Sequence, residues 1–375
     1  MQASVCRFAL AVGRFCYGAT AWSSTATNTA SVGGGGAMRW IEAAKIWAVL
    51  GLQACAWPME SPQTAASTAI ATVQLAGCEL FPGAPIGGSG HSVALAPGQP
   101  MLAFSGSTDS KRHDGSLIIP KNNAEYCSAP TNSVMPAFAN TASTDDFITP
   151  MALVDASGEV FGFYESWRLD SSQPFGVRIT GRGVGKYDRD TSSFAPLGLI
   201  WTADRPNYGV GAYYDGTRVY VYGCQNGASA FERNCFAARV LPKTIGDPSA
   251  YEYAIAVNQF SNNADAAQPI AINVGDLSMT KLSDGRLIAT FVRPLDSTVY
   301  VRTALGPTGP FSNAFALFRC DVGTGEFCVG GVVHTALIHA HVGIAVSYTR
   351  ASFDKMAVGR GQPRLVDVVL PKELP

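Results

Sequence analysis

The chain of 375 residues is poor in charge, and neither sign predominates. Charged residues make up 15% of it, with 27 Lys and Arg against 28 Asp and Glu, whereas about 25% is usual for soluble proteins. The densest basic segment is only Lys111, Arg112 and His113. Because affinity for nucleic acid rests largely on clustered cations that meet phosphates, this composition argues against a nucleic-acid partner.

Several motifs with a defined chemistry are also missing. No Cys-x-x-Cys pair is present, which argues against a zinc site, and neither a Gly-x-Ser-x-Gly elbow nor a repeated Asp-box occurs. The glycine-rich segment 181–186 lacks the spacing of both nucleotide fingerprints, so we interpret it as a strand. His339 and His341 share a strand face, but no third metal ligand stands nearby. We therefore expect neither a cofactor nor a metal.

What the sequence does have is a repeated β-hairpin pattern. Five times, two apolar runs rich in Val, Tyr, Phe and Thr flank a short turn that contains glycine, and successive turns are about 60 residues apart. Asp-Gly and Ser-Gly turns between such runs indicate hairpins, and a repeat of this length fits a four-stranded propeller blade. The sequence predicts an all-β fold, a five-bladed β-propeller over residues 76–375. The turn glycines are Gly98, Gly158, Gly216, Gly285 and Gly343.

The first strand of each hairpin is expected to be the innermost one of its blade and to line the central channel. This places residues from each repeat near the axis: His91, Pro150, Tyr208, Asp276 to Ser278, and His334. The last apolar run, residues 364–371, has no hairpin partner of its own. We expect it to pair with the early strand that starts at Thr68, because this closes the ring and removes an exposed sheet edge.

The first 75 residues do not belong to the repeat. We interpret residues 1–37 as an extension ahead of the true start at Met38. Residues 38–56 place Arg39 and Lys45 before a short apolar run, which is typical of a bacterial secretory leader. The run is shorter than the roughly 20 residues that a membrane-spanning helix needs. Residues 57–75 are expected to form a linker.

The leader ends in Leu52-Gln53-Ala54-Cys55, which resembles a lipobox. In that interpretation Cys55 carries a lipid, and the lipid is the only contact with the membrane. Ordinary cleavage near Ala54 or Ala56 is the alternative. The protein is expected to be secreted or to be an outer-membrane lipoprotein.

The remaining cysteines support export. Once Cys6, Cys16 and Cys55 are set aside, six are left, and an even set in an exported protein predicts disulfides. Two pairs are close in sequence, one around a loop between adjacent strands and one around a hairpin, and the third pair follows by elimination. Buried free thiols are the alternative. The expected pairs are Cys224–Cys235, Cys320–Cys328 and Cys78–Cys127.

Over residues 85–370 the chain resembles a known bacterial family. The segments DGTRVYVYGC from Asp215, LSMTKLSDGRLIATFV from Leu277 and HTALIHAHVGIAVSYTR from His334 are similar to the family called domain of unknown function 4185. The resemblance implies an exported five-bladed propeller related in architecture to arabinanases and sialidase-like glycoside hydrolases. Some members are endo-acting D-arabinanases. The family has Pro after the histidine, and here Thr335 replaces it.

One departure from the family bears on activity. At the end of the second strand of the first blade the family commonly has Phe-Gly-Asp-Thr, whereas this chain has Ser107 in place of the acid and Asp109 two residues later. If the acid is catalytic in the family, this protein is either inactive or uses Asp109 instead.

Cleavage of a glycosidic bond needs two carboxyl groups that face each other across the bond, one of them with a raised pKa. Glu165 lies between Tyr164 and Trp167, an environment able to raise its pKa, and Asp276 directly precedes an inner strand. We expect these two to be catalytic, with Asp109 as the third candidate. The alternative for each is a solvated loop acid or a turn cap. The acids at channel-side strand ends are Asp109, Asp155, Glu165, Asp276 and Asp296, whereas Asp215 and Asp284 belong to hairpin turns.

The expected substrate-binding residues are His91, His334, Trp167 and Tyr208, two histidines that open inner strands and two aromatics able to stack on a sugar. The sequence therefore favours a monomeric propeller that acts on extracellular, arabinan-like polysaccharide as a glycoside hydrolase. The alternatives are a propeller that binds carbohydrate without cleaving it and one that binds another protein, because one fold can host all three functions.

Overall fold

The structure is a computed structural model. It describes residues 73–74, 77–106, 115–120, 125–129, 134–138, 146–173, 176–227, 232–337, 343–352, 361 and 363–370. These residues form five antiparallel sheets, which are the blades of a five-bladed β-propeller. The fold predicted from the hairpin repeat is thus confirmed.

The strands follow the chain from blade to blade. Two short ones come first, β1 (Val73–Gln74) and β2 (Cys78–Glu79). The first blade contains β3 (Gly87–Ala96), β4 (Gln99–Gly106), β5 (Ser116–Ile118) and β6 (Met135–Pro136), and the second contains β7 (Asp146–Ala156), β8 (Glu159–Leu169), β9 (Val177–Asp188) and β10 (Ser193–Thr202). The third contains β11 (Gly211–Tyr214), β12 (Val219–Asn226), β13 (Arg233–Val240), β14 (Glu252–Ala256), β15 (Gln259–Ser261) and β16 (Ala271–Ile272).

The fourth blade contains β17 (Ser278–Lys281), β18 (Leu287–Val292), β19 (Thr298–Ala304) and β20 (Phe315–Arg319). The fifth contains β21 (Glu326–Val333), β22 (Gly343–Ser352) and β23 (Pro363–Val369), with β1 and β2 paired to β23. Short 3-10 helices connect some of the strands: Glu125–Cys127, Pro242–Thr244, Pro248–Ala250, Ala264–Ala266 and Thr335–Leu337.

The core consists of five clusters of buried side chains, and each cluster lies between two neighbouring blades. A strand in the middle of a blade is therefore covered on both faces, which is why such strands are continuous apolar runs instead of alternating ones. In β12, for example, the six residues from Val219 to Cys224 are all buried. The cluster that contains Leu102 and Leu365 joins the first blade to the last and completes the ring.

Four of the five predicted turns are present. Gly98, Gly158, Gly216 and Gly285 all have positive φ, between 75° and 100°, a conformation that glycine adopts without steric cost. The fifth hairpin differs from the prediction. Its first strand is β21, which ends before His334, so Gly343 does not lie in a turn but begins β22.

The ends of the described chain meet in the fifth blade. In β1, Val73 pairs with Val369 of β23, and in β2, Cys78 pairs with Leu365. The expected closure is therefore present. It includes β1, which begins a few residues before the expected domain boundary at 76.

All three expected disulfides are present, namely Cys78–Cys127, Cys224–Cys235 and Cys320–Cys328. One of them has a different setting from the prediction, because Cys320 and Cys328 bracket the passage from β20 to β21, between two blades, and not a hairpin. Three disulfides suggest a protein that is not cytoplasmic. Within the ranges given above, no helix is long and apolar enough to cross a membrane. The proposed extension, leader, linker and lipidated Cys55 lie outside those ranges.

Candidate functional site

A pocket of about 220 Å³ lies among the inner strands of the blades. All five blades contribute to its wall, since the residues come from β3 and β4, from β7 and β8, from the segment before β11, from β17 with the residues before it, and from β21. Among the predicted site residues, His91, Glu165, Trp167 and Asp276 are brought together here. The other lining residues are Ser105, Thr149, Pro150, Met151, Asn207, Val210, Ser278, Gly330 and Val332.

Glu165 is the more buried of the two acids that line the pocket. Its side chain is 14% exposed, and Arg182, on the neighbouring strand β9, lies directly opposite it in the register. Both Nε and Nη2 of Arg182 approach the same oxygen, Oε1, at 3.0 and 2.8 Å. Burial raises the pKa of Glu165 in spite of the opposing effect of Arg182, and the charge of Asp276 raises it further. Oε2 accepts no hydrogen bond from the described residues, so it is free to carry a proton.

Asp276 differs from Glu165 in its surroundings. Its side chain is 33% exposed, and Arg233 Nη2 lies 3.4 Å from Oδ1. Gly275, which precedes it, approaches β18 so closely that a Cβ would lie 2.4 Å from the carbonyl oxygen of Val292. This close approach fixes the chain at the position where Asp276 enters the pocket. Both carboxyl groups therefore have an arginine beside them, but Glu165 is largely buried against Arg182 whereas Asp276 is partly exposed beside Arg233.

Trp167 has the geometry of a stacking platform. Its ring is parallel to that of Phe147, with 6.1 Å between the centroids. The indole Nε1 donates to Thr149 Oγ1 at 3.0 Å. The ring is thus held by one packing contact and one hydrogen bond while it lines the pocket.

The two histidines of the inner strands have different positions. His91 lines the pocket, and burial lowers its pKa to about 4. His334 is fully buried, and its ring lies between Ser92 Oγ, 2.9 Å from Nδ1, and Ser347 Oγ, 2.6 Å from Nε2. Burial, with a smaller contribution from the charge of His91, lowers the pKa of His334 to about 3. The structure therefore places His334 as a neutral link between the first and last blades and not on the pocket wall.

Tyr208 does not lie at the pocket either. It is buried in the core between the second and third blades, where its ring stacks on Trp201 with 5.0 Å between centroids.

Two further acids serve local structure: Asp155 Oδ1 accepts a hydrogen bond from the Gly158 N–H in a turn, and Asp296 accepts hydrogen bonds from the Ser297 N–H and the Tyr300 hydroxyl. Asp109, Ser107, His339 and His341 lie outside the described residues. Among those described, no group of three or more His, Cys, Asp or Glu side chains could hold a metal ion.

Sequence reasoning missed Arg182 and Asn207. Arg182 stands between Gly181 and Gly183, in the segment interpreted only as a glycine-rich strand. Gly183 is required there, because a Cβ would lie 2.5 Å from the Tyr164 hydroxyl. The register of β8 and β9 is the signal that could have identified the pair, since Arg182 and Glu165 are directly opposite. Asn207 gave no comparable signal in the sequence.

No family model and no curated protein matches the chain, so membership in the domain of unknown function 4185 family stays a prediction. Solved structures do share its fold. A protein from Bacteroides ovatus described as a candidate hydrolase is 14% identical, with a TM-score of 0.52 over 77% of this chain and 86% of that one. An alpha-L-arabinofuranosidase from Lactobacillus brevis is 10% identical, with a TM-score of 0.51 over 78% and 94%. At these identities the likeness concerns the fold alone, so the chain has a five-bladed propeller fold that is also found among glycoside hydrolases.

Proposed function

We propose that this protein is a glycoside hydrolase that cleaves a neutral, arabinan-like polysaccharide outside the cytoplasm. The observation that carries the proposal is the pairing of two unlike carboxyl groups in one pocket. Glu165 and Asp276 both line a pocket of about 220 Å³, which is compatible with the separation of roughly 5–10 Å that glycosidases use. The disulfides support an exported protein, and lipidation at Cys55 remains part of the proposal.

The surroundings of Glu165 and Asp276 indicate which catalytic role each carboxyl group has. Glu165 is the general acid, because burial raises its pKa and leaves Oε2 able to hold a proton for the leaving oxygen. Asp276 is the second carboxyl, partly solvated and paired with Arg233, and it acts as the base or nucleophile. Trp167 provides an aromatic face for a sugar ring. Because the acid must be protonated, activity should fall as the pH rises through the pKa of Glu165.

The test is the incubation of the purified protein with D-arabinan, L-arabinan and xylan, followed by detection of released oligosaccharides. Glu165→Gln should lower kcat by about 10²–10⁴-fold, the usual contribution of general acid catalysis. The matched control is Glu159→Gln in the same strand, because Glu159 is exposed and pairs with Lys186. Turnover that survives in Glu165→Gln would contradict the assignment. Binding without any product from the unaltered protein would identify a carbohydrate-binding propeller instead.

A further inference from the structure

Asn207 presents an oriented amide at the pocket. Its Oδ1 lies 2.6 Å from the backbone nitrogen of Cys224. A backbone N–H can only donate, so the atom facing it must be the amide oxygen. The Nδ2 group therefore points away from Cys224, and no described residue accepts a hydrogen bond from it. Asn207 is part of the pocket wall, so its two N–H donors are available to a ligand.

The chain around Asn207 is held on both sides. The Asn207 N–H donates to Cys224 O at 3.1 Å. Arg182 Nη1 donates to the carbonyls of Ala203 and Arg205, at 3.3 and 3.1 Å, while the same guanidinium holds Glu165. One buried arginine thus holds both the proposed general acid and the segment that leads into Asn207. A donor fixed in this way loses little conformational entropy when a ligand binds.

The disulfide Cys224–Cys235 supports both sides of the pocket. Cys224 provides the N–H that orients Asn207. Cys235 Sγ lies 3.7 Å from the carbonyl oxygen of Val274 and 3.9 Å from that of Gly275, the residues that lead into Asp276. The bridge therefore stands between the segment that carries Asn207 and the segment that carries the second carboxyl.

We propose that Asn207 determines specificity by donating a hydrogen bond to an uncharged oxygen of the bound sugar. The inference rests on the proposed function, since it places the sugar beside Glu165. Donors alone would also suit a carboxylate, but the carboxyl group of Asp276 lines the pocket whereas its partner Arg233 does not, so an anionic ligand is repelled. The ligand that fits is a neutral sugar with hydroxyl or ring oxygens, and not a uronic acid or a phosphorylated sugar.

The experiment measures equilibrium binding of D-arabinotriose, L-arabinotriose, xylotriose and digalacturonate, together with turnover of the corresponding polysaccharides. Asn207→Asp keeps an oxygen for the Cys224 N–H but replaces the two donors by a second oxygen. It should weaken binding of the neutral sugars about tenfold or more, as the loss of one hydrogen bond predicts, with a larger change in KM than in kcat. Asn263→Asp is the control, because Asn263 also accepts a backbone N–H, from Asp265, without lining the pocket.

Each result separates this inference from the proposed function. Sugar binding that depends on Asn207, without turnover, supports the inference and refutes the hydrolase. Turnover and binding that are the same in Asn207→Asp and the unaltered protein refute the inference and leave the hydrolase intact. Tighter binding of digalacturonate than of any neutral sugar, or no binding of any probe, overturns the inference. Thermal unfolding of the variant, unchanged within a few degrees, excludes a general loss of structure.

Discussion

Removal of the His334 imidazole should make the stability of this protein less sensitive to acid. In the folded protein, burial lowers the pKa of His334 from 6.5 to about 3. In the unfolded chain the His334 side chain takes up a proton near the ordinary pKa of histidine, about 6.5. Between these two pKa values the unfolded state binds one proton more, so stability rises with pH and is lost as the pH falls below about 6.5.

The magnitude follows from the fully buried state of the ring. One proton of difference corresponds to about 1.4 kcal/mol per pH unit, so acidification from about pH 6.5 to about pH 5 should cost roughly 2 kcal/mol through His334 alone. His334→Gln does not titrate but keeps a donor and an acceptor for the hydroxyls of Ser92 and Ser347. The loss of unfolding free energy between about pH 6.5 and about pH 5 should therefore be smaller in this variant by roughly 2 kcal/mol.

The assay is urea unfolding at several pH values between about 7 and 5. The pKa of His91, about 4, lies below this window, so His91 contributes the same slope to both proteins. Ser347→Ala is the control: it should lower stability by about 1 kcal/mol while the slope remains, because the imidazole still titrates. Equal slopes in the unaltered protein and in His334→Gln would refute the reasoning.

Two further predictions concern the first blade and the strand β2 beside it. Replacing Cys78 and Cys127 by serine should cost about 2–5 kcal/mol of unfolding free energy, measured by urea titration, and a change within error would show that the strand pairing alone fixes β2. Gly90→Ala should cost about 1–3 kcal/mol, because the added Cβ would lie 2.5 Å from Cε1 of the buried Phe104. Thermal unfolding measures this cost, and the double variant with Phe104→Leu should recover part of it; no recovery would point to a different cause.

The sequence predicts the architecture because hairpin chemistry is local. A glycine with positive φ between two apolar runs specifies a turn whatever the rest of the chain does, as at Gly158 and Gly216. The fifth hairpin shows the limit of this reasoning. The run after His334 is apolar enough for a strand, yet the first strand of that blade is β21, which contains Gly330 and Gly331 and is therefore a weak strand by composition.

The site is predictable only in part, because some of its residues depend on contacts between strands and blades that the local sequence does not show. Glu165 and Trp167 could be chosen because an acid among aromatics is unusual in any strand. Tyr208 could not be distinguished from a ligand-binding aromatic, because the sequence does not tell which face of the chain the neighbouring blade covers. Arg182 and Asn207 act through partners on other strands, so their roles depend on register and on contacts between blades.

The pairing of β1 and β2 with β23 ties completion of the ring to the end of synthesis. A chain made from its N-terminus cannot complete the fifth blade until residue 369 has been added, since Val73 finds its partner only there. Until then the surface of the first blade around Leu102 lacks the neighbour Leu365 that covers it. Contacts of such long sequence separation slow folding. The nascent protein must therefore remain incomplete, with apolar surface exposed, for nearly the whole time of its synthesis.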